Sequence, residues 1–140
     1  STGSFEVGTY VAKSKYSNEW EKVVTPEYIS LTIAAEQLVS PVYISGPITG
    51  MYDGNKDAFD KMAAYLESLG FEVVNPRRNP IPKGTTLGAE YFWNFKMQES
   101  LKIMMECNSI VLLKGWCVSR GAGIEQDIAA SLDWPIAKER

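Results

Sequence analysis

Val42-Tyr43-Ile44-Ser45-Gly46-Pro47-Ile48-Thr49-Gly50 is the stretch on which the reading of the fold turns. Three apolar, strand-forming residues run into a loop of small residues, the pattern that opens a βα unit whose strand is buried on both faces. Downstream, Asn55 is placed to start a helix, and Phe59, Met62, Ala63, Leu66 and Leu69 recur at helical spacing before Gly70 ends it. Phe71-Glu72-Val73-Val74 reads as the next strand and stops at Asn75-Pro76; Pro80, Pro82, Gly84 and Gly88 break the segment that follows. A helix is expected from about Ala89 to Glu106, with Phe92, Phe95, Leu101, Met104 and Met105 on its apolar side. Ser109-Ile110-Val111-Leu112-Leu113 is the clearest strand. It opens into Lys114–Gly121, then a helix from about Ala122 to Leu132 and a last short strand at Pro135-Ile136-Ala137. This alternation predicts an α/β fold: a doubly wound (Rossmann-like), mostly parallel sheet of about four to five strands flanked by helices.

The chain before Pro41 reads differently. Phe5, Val7, Thr9 and Val11 alternate as in a short strand, and Ser14–Ser17 is polar. Thr25-Pro26-Glu27 combines a capping hydroxyl, a proline suited to the first helical position and an acid at the positive dipole end, which predicts a helix over 25–38. The chain thus divides into an N-terminal extension, 1–40, and an α/β domain, 41–140. At 140 residues, with 45% hydrophobic and 22% charged residues, it falls in the ordinary globular range. No apolar run approaches the ~18 residues of a membrane span, and Ser1–Tyr10 lacks a basic stretch followed by an apolar one. A net charge of −3 argues against a duplex nucleic-acid partner. Two cysteines, Cys107 and Cys117, are too few for a disulfide scaffold or a Cys-rich zinc site, and fit a reducing, cytoplasmic setting. The chain has no histidine, which removes Ser-His-Asp and Cys-His catalysis and histidine metal sites. No metal and no cofactor are expected, and any catalysis falls to carboxylates, hydroxyls, amides, Lys or Arg.

Ligands of open parallel sheets bind beyond the carboxyl ends of the strands. Three segments end there: Ser45–Gly50, Asn75–Arg78 and Gly115–Glu125. The first either cradles an anion with its backbone N–H groups or simply makes a tight turn. In the third, Ser119-Arg120-Gly121-Ala122 brings a hydroxyl, a cation and small residues to a helix start, and Glu125 falls one turn inside. Glu125 either faces the mouth of a site or complements the helix dipole. Trp116 and Trp93 are candidates to stack on a base or sugar, or else core or lid; Arg77-Arg78 is a solvated pair or an anion contact.

The order of these motifs resembles the nucleoside 2-deoxyribosyltransferase-like superfamily and, within it, a small group of phage and bacterial proteins. The likeness rests on Val42 to Met51, Asn55, Ala58-Phe59, Leu66 and Gly70 to Pro76, then Cys107 to Leu113, Gly115-Trp116, Ser119 to Ala122 and Glu125. It covers about Pro41 to Ala137. The resemblance implies a doubly wound domain, dimeric or larger, that cleaves or exchanges the N-glycosidic bond of a nucleoside or nucleoside monophosphate. It implies Glu125 as nucleophile on the anomeric carbon, with Tyr43 beside it, and Gly46–Gly50 and Ser119 on a phosphate. A carboxylate suits an oxocarbenium-like transition state, as in retaining glycosidases. Two aspartates common in relatives are replaced here by Ser100 and Asn108, and an arginine common in the first loop by Thr49. Glu99 or Glu106 would have to stand in for the former, and Arg120 or Arg77 for the latter. The candidate site is therefore Glu125 and Tyr43 as catalytic residues, with Gly46, Pro47, Ile48, Thr49, Gly50, Asn55, Asn75, Trp116, Ser119, Arg120 and Gly121 around the substrate. The expected partners are a small nucleoside or nucleotide and further copies of the chain, in a bacterial cytoplasm (the host's, if phage-encoded). The missing aspartates keep open a second class, a non-catalytic module that binds a nucleotide or related signal molecule.

Overall fold

The computed structural model describes residues 26–78 and 89–140 and the strand segments 5–8, 11–13 and 20–22. In chain order the elements are β1 (Phe5–Gly8), β2 (Val11–Lys13), β3 (Trp20–Lys22), β4 (Pro26–Ile29), β5 (Val42–Ser45), α1 (Lys56–Ser68), β6 (Val73–Val74), α2 (Ala89–Met104), β7 (Ser109–Leu112), α3 (Arg120–Ser131) and β8 (Ile136–Lys138). The last four strands form one parallel sheet in the order β6-β5-β7-β8. It is the doubly wound α/β arrangement expected.

The period of two along each strand decides what packs where. Val42 and Ile44 of β5, with Val111 of β7, meet Phe59, Met62, Ala63 and Leu66 of α1 on one face. Tyr43, Ile110 and Leu112 point the other way, toward Met104 of α2 and Ala129 of α3. Both faces of β5 and β7 are buried along their whole length, as parallel strands between helix layers require. The chain leaves β5 for β6 on one side and returns through α2 to β7 on the other. The carboxyl ends of β5 and β7 therefore flank the point where strand order reverses, and the loops there diverge to leave a crevice. No helix among the described residues is long and apolar enough to cross a membrane.

The N-terminal reading needs correction. In place of a helix over 25–38, Pro26–Ile29 is a strand paired antiparallel with β1, and only Ala35–Gln37 makes a single 3-10 turn. Thr32 is tied to the far edge of the molecule, donating its N–H to the carbonyl of Lys138 (2.9 Å) and accepting the Lys138 N–H on its hydroxyl (2.9 Å). Ile29, Leu31 and Leu38 bury their side chains in the core on the α1 side. Strand pairing and burial of β-branched and apolar residues outweigh the local cap signals of Pro26 and Glu27. This segment covers the α1 layer. The Thr25 cap, the polar Ser14–Ser17 segment, the broken stretch 79–88 and the side chain of Phe92 lie outside the described residues.

Leu66 is completely buried between α1 and the sheet. Leu66→Ala should lower unfolding free energy by about 2–5 kcal/mol, the range for a buried leucine that leaves a cavity. Urea unfolding monitored by circular dichroism measures it, and a loss under about 1 kcal/mol would remove Leu66 from the core.

Candidate functional site

At the carboxyl edge of the sheet, the crevice becomes a cavity of about 410 Å³. Its floor is made by Tyr43, Ile44, Ser45 and Gly46 at the end of β5; its walls come from Ile48 and Thr49, Phe59 of α1, Pro76 and Arg77, Trp93, Lys96, Met97 and Ser100 of α2, and Ser119, Gly121, Ala122 and Glu125 at the start of α3.

Glu125 is buried in it, only 6% exposed. Tyr43 donates its phenolic O–H to Oε2 at 2.7 Å, and Ser45 donates its hydroxyl to Oε1 at 2.6 Å. Tyr43 and Ser45 are two apart on β5, so they share the face that α3 covers. Each carboxylate oxygen thus has one neutral donor and keeps lone-pair capacity for something else. Burial raises the Glu125 pKa above the ordinary carboxylate value, and the Ser45 and Tyr43 hydrogen bonds pull it partly back. Burial likewise pushes the Tyr43 phenol well above its usual value, reinforced by the Glu125 charge and hydrogen bond and opposed by the Ser100 hydroxyl. Tyr43 is therefore a fixed donor at neutral pH.

Of the residues expected around the substrate, Gly46, Ile48, Thr49, Ser119 and Gly121 line the cavity. Gly46 has a packing reason as well: a Cβ there would come within 2.8 Å of the Leu113 Cβ. The Ser119 hydroxyl accepts the Ala122 N–H (3.2 Å), so it caps α3 while facing the crevice.

The structure places the remaining expected residues outside this lining. Pro47 packs near Gly115 and Gly50 is exposed on the loop; neither lines the cavity. Asn55 lines a separate polar depression with Asp57, Lys61, Lys114 and Glu139. Asn75 is buried and structural: its side-chain amide donates to Asp60 (3.0 Å) and its oxygen accepts the Arg77 N–H (3.0 Å). Trp116 packs into the second core cluster, with the Lys138 ammonium 4.9 Å from its ring centre. Arg120 does not line the cavity; its guanidinium lies 4.0 Å from the ring centre of Trp93.

Sequence reasoning missed Ser45, Lys96 and Met97 as cavity residues. The signal for Ser45 was its spacing of two from Tyr43 on a strand. Of the two positions lacking the aspartates, Ser100 faces the cavity, whereas Asn108 donates its amide to the Ser40 carbonyl (2.9 Å) away from it. Glu99 is paired with Lys102 (3.0 Å), and neither it nor Glu106 lines the cavity. Among the described lining residues Glu125 is the single acid. Cys107 is buried and free, its thiol pushed up to about 11 by burial, and so stays protonated.

A parallel sheet with a buried, hydroxyl-held glutamate at its topological switch point defines the class: an α/β protein that presents, among the described residues, one carboxylate to a crevice at the sheet's carboxyl edge. Residues 40–138 match the family described as "Domain of unknown function (DUF4406)", and the chain belongs to that family. No curated protein and no solved structure matches the chain.

The raised pKa of Glu125 has a thermodynamic sign. The folded state holds this proton more tightly than the unfolded chain does, so the contribution is complete below the unfolded value of about 4.3 and is lost as pH rises through the folded value. Relative to wild type, Glu125→Gln should therefore gain stability between about pH 4 and pH 7. Denaturant midpoints at the two pH values test this, and an unchanged gap would mean that Glu125 titrates as in the unfolded chain.

Proposed function

We infer that the protein acts at the N-glycosidic bond of a nucleoside or nucleoside monophosphate, as a hydrolase or a deoxyribosyltransferase, with Glu125 as nucleophile. The observation that carries this reading is the Glu125 carboxylate, desolvated in the cavity wall and oriented by Tyr43 and Ser45. As the bond from the anomeric carbon to the base nitrogen breaks, its electron pair leaves with the base. One Glu125 oxygen bonds to the anomeric carbon, and the departing base takes a proton from water. The hydroxide left by that proton transfer, or a second base that gives its N–H proton to that hydroxide, then displaces the carboxylate in hydrolysis or transfer respectively, and Glu125 is regenerated. Tyr43 and Ser45 fix the direction of attack and spread the negative charge. They are neutral donors, so they hold the group without neutralising it. Trp93 and Met97 offer apolar contact for a base.

The reading extends to setting and assembly: a cytoplasmic protein, in keeping with two free thiols, working as a homodimer or larger. Half-exposed Met105, just beyond the end of α2, supports a contact near that helix. The second reading, a binding module without turnover, is favoured by one observation: Ser100 faces the cavity where relatives carry an aspartate, leaving no second carboxyl group among the described lining residues.

Incubation with a panel of nucleosides and monophosphates, read by chromatography of the free base, decides between the two. Base release by wild type should fall by several orders of magnitude in Glu125→Ala, the usual consequence of losing a covalent nucleophile. Release within tenfold of wild type would exclude Glu125 from that role, and binding without release across the panel would favour the module.

Self-association is tested separately. Light scattering at micromolar concentration should give at least twice the mass of one chain, with a contact burying well over ~1,200 Å². A single-chain mass throughout would exclude the homodimer.

A further inference from the structure

Two basic side chains also line the cavity. Arg77, from the turn after β6, and Lys96, from α2, both line it, at positions no sequence motif joins. Arg77 is held in place. Its Nη2 donates to the Asp53 carbonyl (3.2 Å), and the guanidinium lies against Gly54, where a Cβ would come within 2.7 Å of Nη2. The loop that makes this fit runs through three consecutive left-handed residues, Asp53 (φ 49), Gly54 (φ 59) and Asn55 (φ 61). Such backbone is costly for the two non-glycine residues and is maintained at sites where the surrounding structure enforces it. Yet the Arg77 Nε is buried without a hydrogen-bond partner, the single side-chain atom in that state among the described residues. A buried donor of a charged group left unpaired is unfavourable, so the hydrogen-bonding capacity of this guanidinium is not met by its described neighbours. Lys96 makes no ion pair among the described residues; burial and the nearby Arg77 charge both hold its pKa below the usual lysine value. Two cations line one cavity, and among the described residues neither forms an ion pair, a combination that suits an anionic group.

We propose that Arg77 and Lys96 together hold a phosphate group carried by the substrate whose sugar meets Glu125. Arg120, the cation the sequence pattern offered, is occupied on Trp93. The assignment rests on the glycosidic reading only for the sugar that joins the cations to the carboxylate, with a phosphate ester on that sugar held by Arg77 and Lys96 while the anomeric carbon meets Glu125.

Calorimetry with the four 2′-deoxynucleosides, their 5′-monophosphates and inorganic phosphate tests the site without requiring turnover. At least one monophosphate should bind tenfold or more tightly than its nucleoside, as charge-assisted hydrogen bonds imply. Lys96→Ala and Arg77→Gln, each checked for native circular dichroism, should erase most of that preference and leave nucleoside affinity nearly unchanged. Lys96 is only half-buried, so its variant keeps the test open if Arg77→Gln fails to fold. No preference in any pair, a preference that survives in Lys96→Ala, or inorganic phosphate binding as well as every monophosphate would overturn the proposal. Base release is scored separately. A phosphate preference lost in the variants without any base release keeps the anion site and removes the glycosidic reading. Release that is equal from nucleosides and monophosphates does the reverse.

Discussion

The arrangement depends on keeping one carboxylate out of water. An isolated ionised group in a protein interior is strongly unfavourable and survives only when it is hydrogen-bonded or paired. Glu125 is not paired with a cation; it is held by two hydroxyls from a single strand. That solution imposes geometry. The donors must be two residues apart on β5, the strand must be central, and α3 must cross the face toward which they point. A one-residue slip of β5 against β7 would turn Tyr43 and Ser45 toward α1 and leave Glu125 buried with no donor. The register Val42↔Ser109 through Ser45↔Leu112 is thereby tied to the site as well as to the core.

Packing and site are thus served by the same residues. Tyr43 fills the core beneath α2 with its ring and reaches the carboxylate with its oxygen. Gly46 lets the β5 loop close against Leu113, which brings the loop to the cavity edge. Ser119 ends the preceding turn, caps α3 and fixes where the first turn of that helix begins, and with it the depth of Glu125. The Glu125 carboxyl lies beyond reach of the first exposed N–H groups as a cap and is occupied instead by side chains of another element, which separates it from a dipole-complementing role.

How much of this was legible in sequence follows from the range of the forces involved. The strands at Val42 and Ser109 and the helices at 56–68, 89–104 and 120–131 carry strong local periodicity, and the expected elements overlap the observed ones with shifts of a residue or two at most ends. Glu125 and Tyr43 were identifiable through motif order, and the structure brings them within hydrogen-bond distance. Residues 26–38 were misread because the cap signals of Pro26 and Glu27 are local while the competing strand pairs and core contacts come from distant chain. Trp116 and Arg120 adjoin the right loop but are claimed by Lys138 and Trp93, pairings that no spacing rule encodes. Lys96 was invisible for a related reason: its partner in the cavity, Arg77, lies on another element, and only the crossing of α2 over the sheet end brings the two together.

The separation of charges in the cavity has its own logic. Had Arg77 or Lys96 paired with Glu125, the carboxylate would be held below the ordinary range and its electrons committed to the cation. Its pKa is instead raised by burial, with only Ser45 and Tyr43 opposing, so neither cation quenches it. The same holds in the other direction: Lys96 is lowered by desolvation and by Arg77, and the acid that raises it is Glu99, outside the cavity lining. Opposite charges that share one enclosed space without meeting are expensive to maintain when empty, because each is partly desolvated and uncompensated. They become favourable together when a single ligand spans them, anionic at one end and developing positive charge at the other. A phosphorylated sugar losing its base has that polarity along its length, which is the physical reason the proposed substrate class suits a cavity lined by Arg77, Lys96 and Glu125.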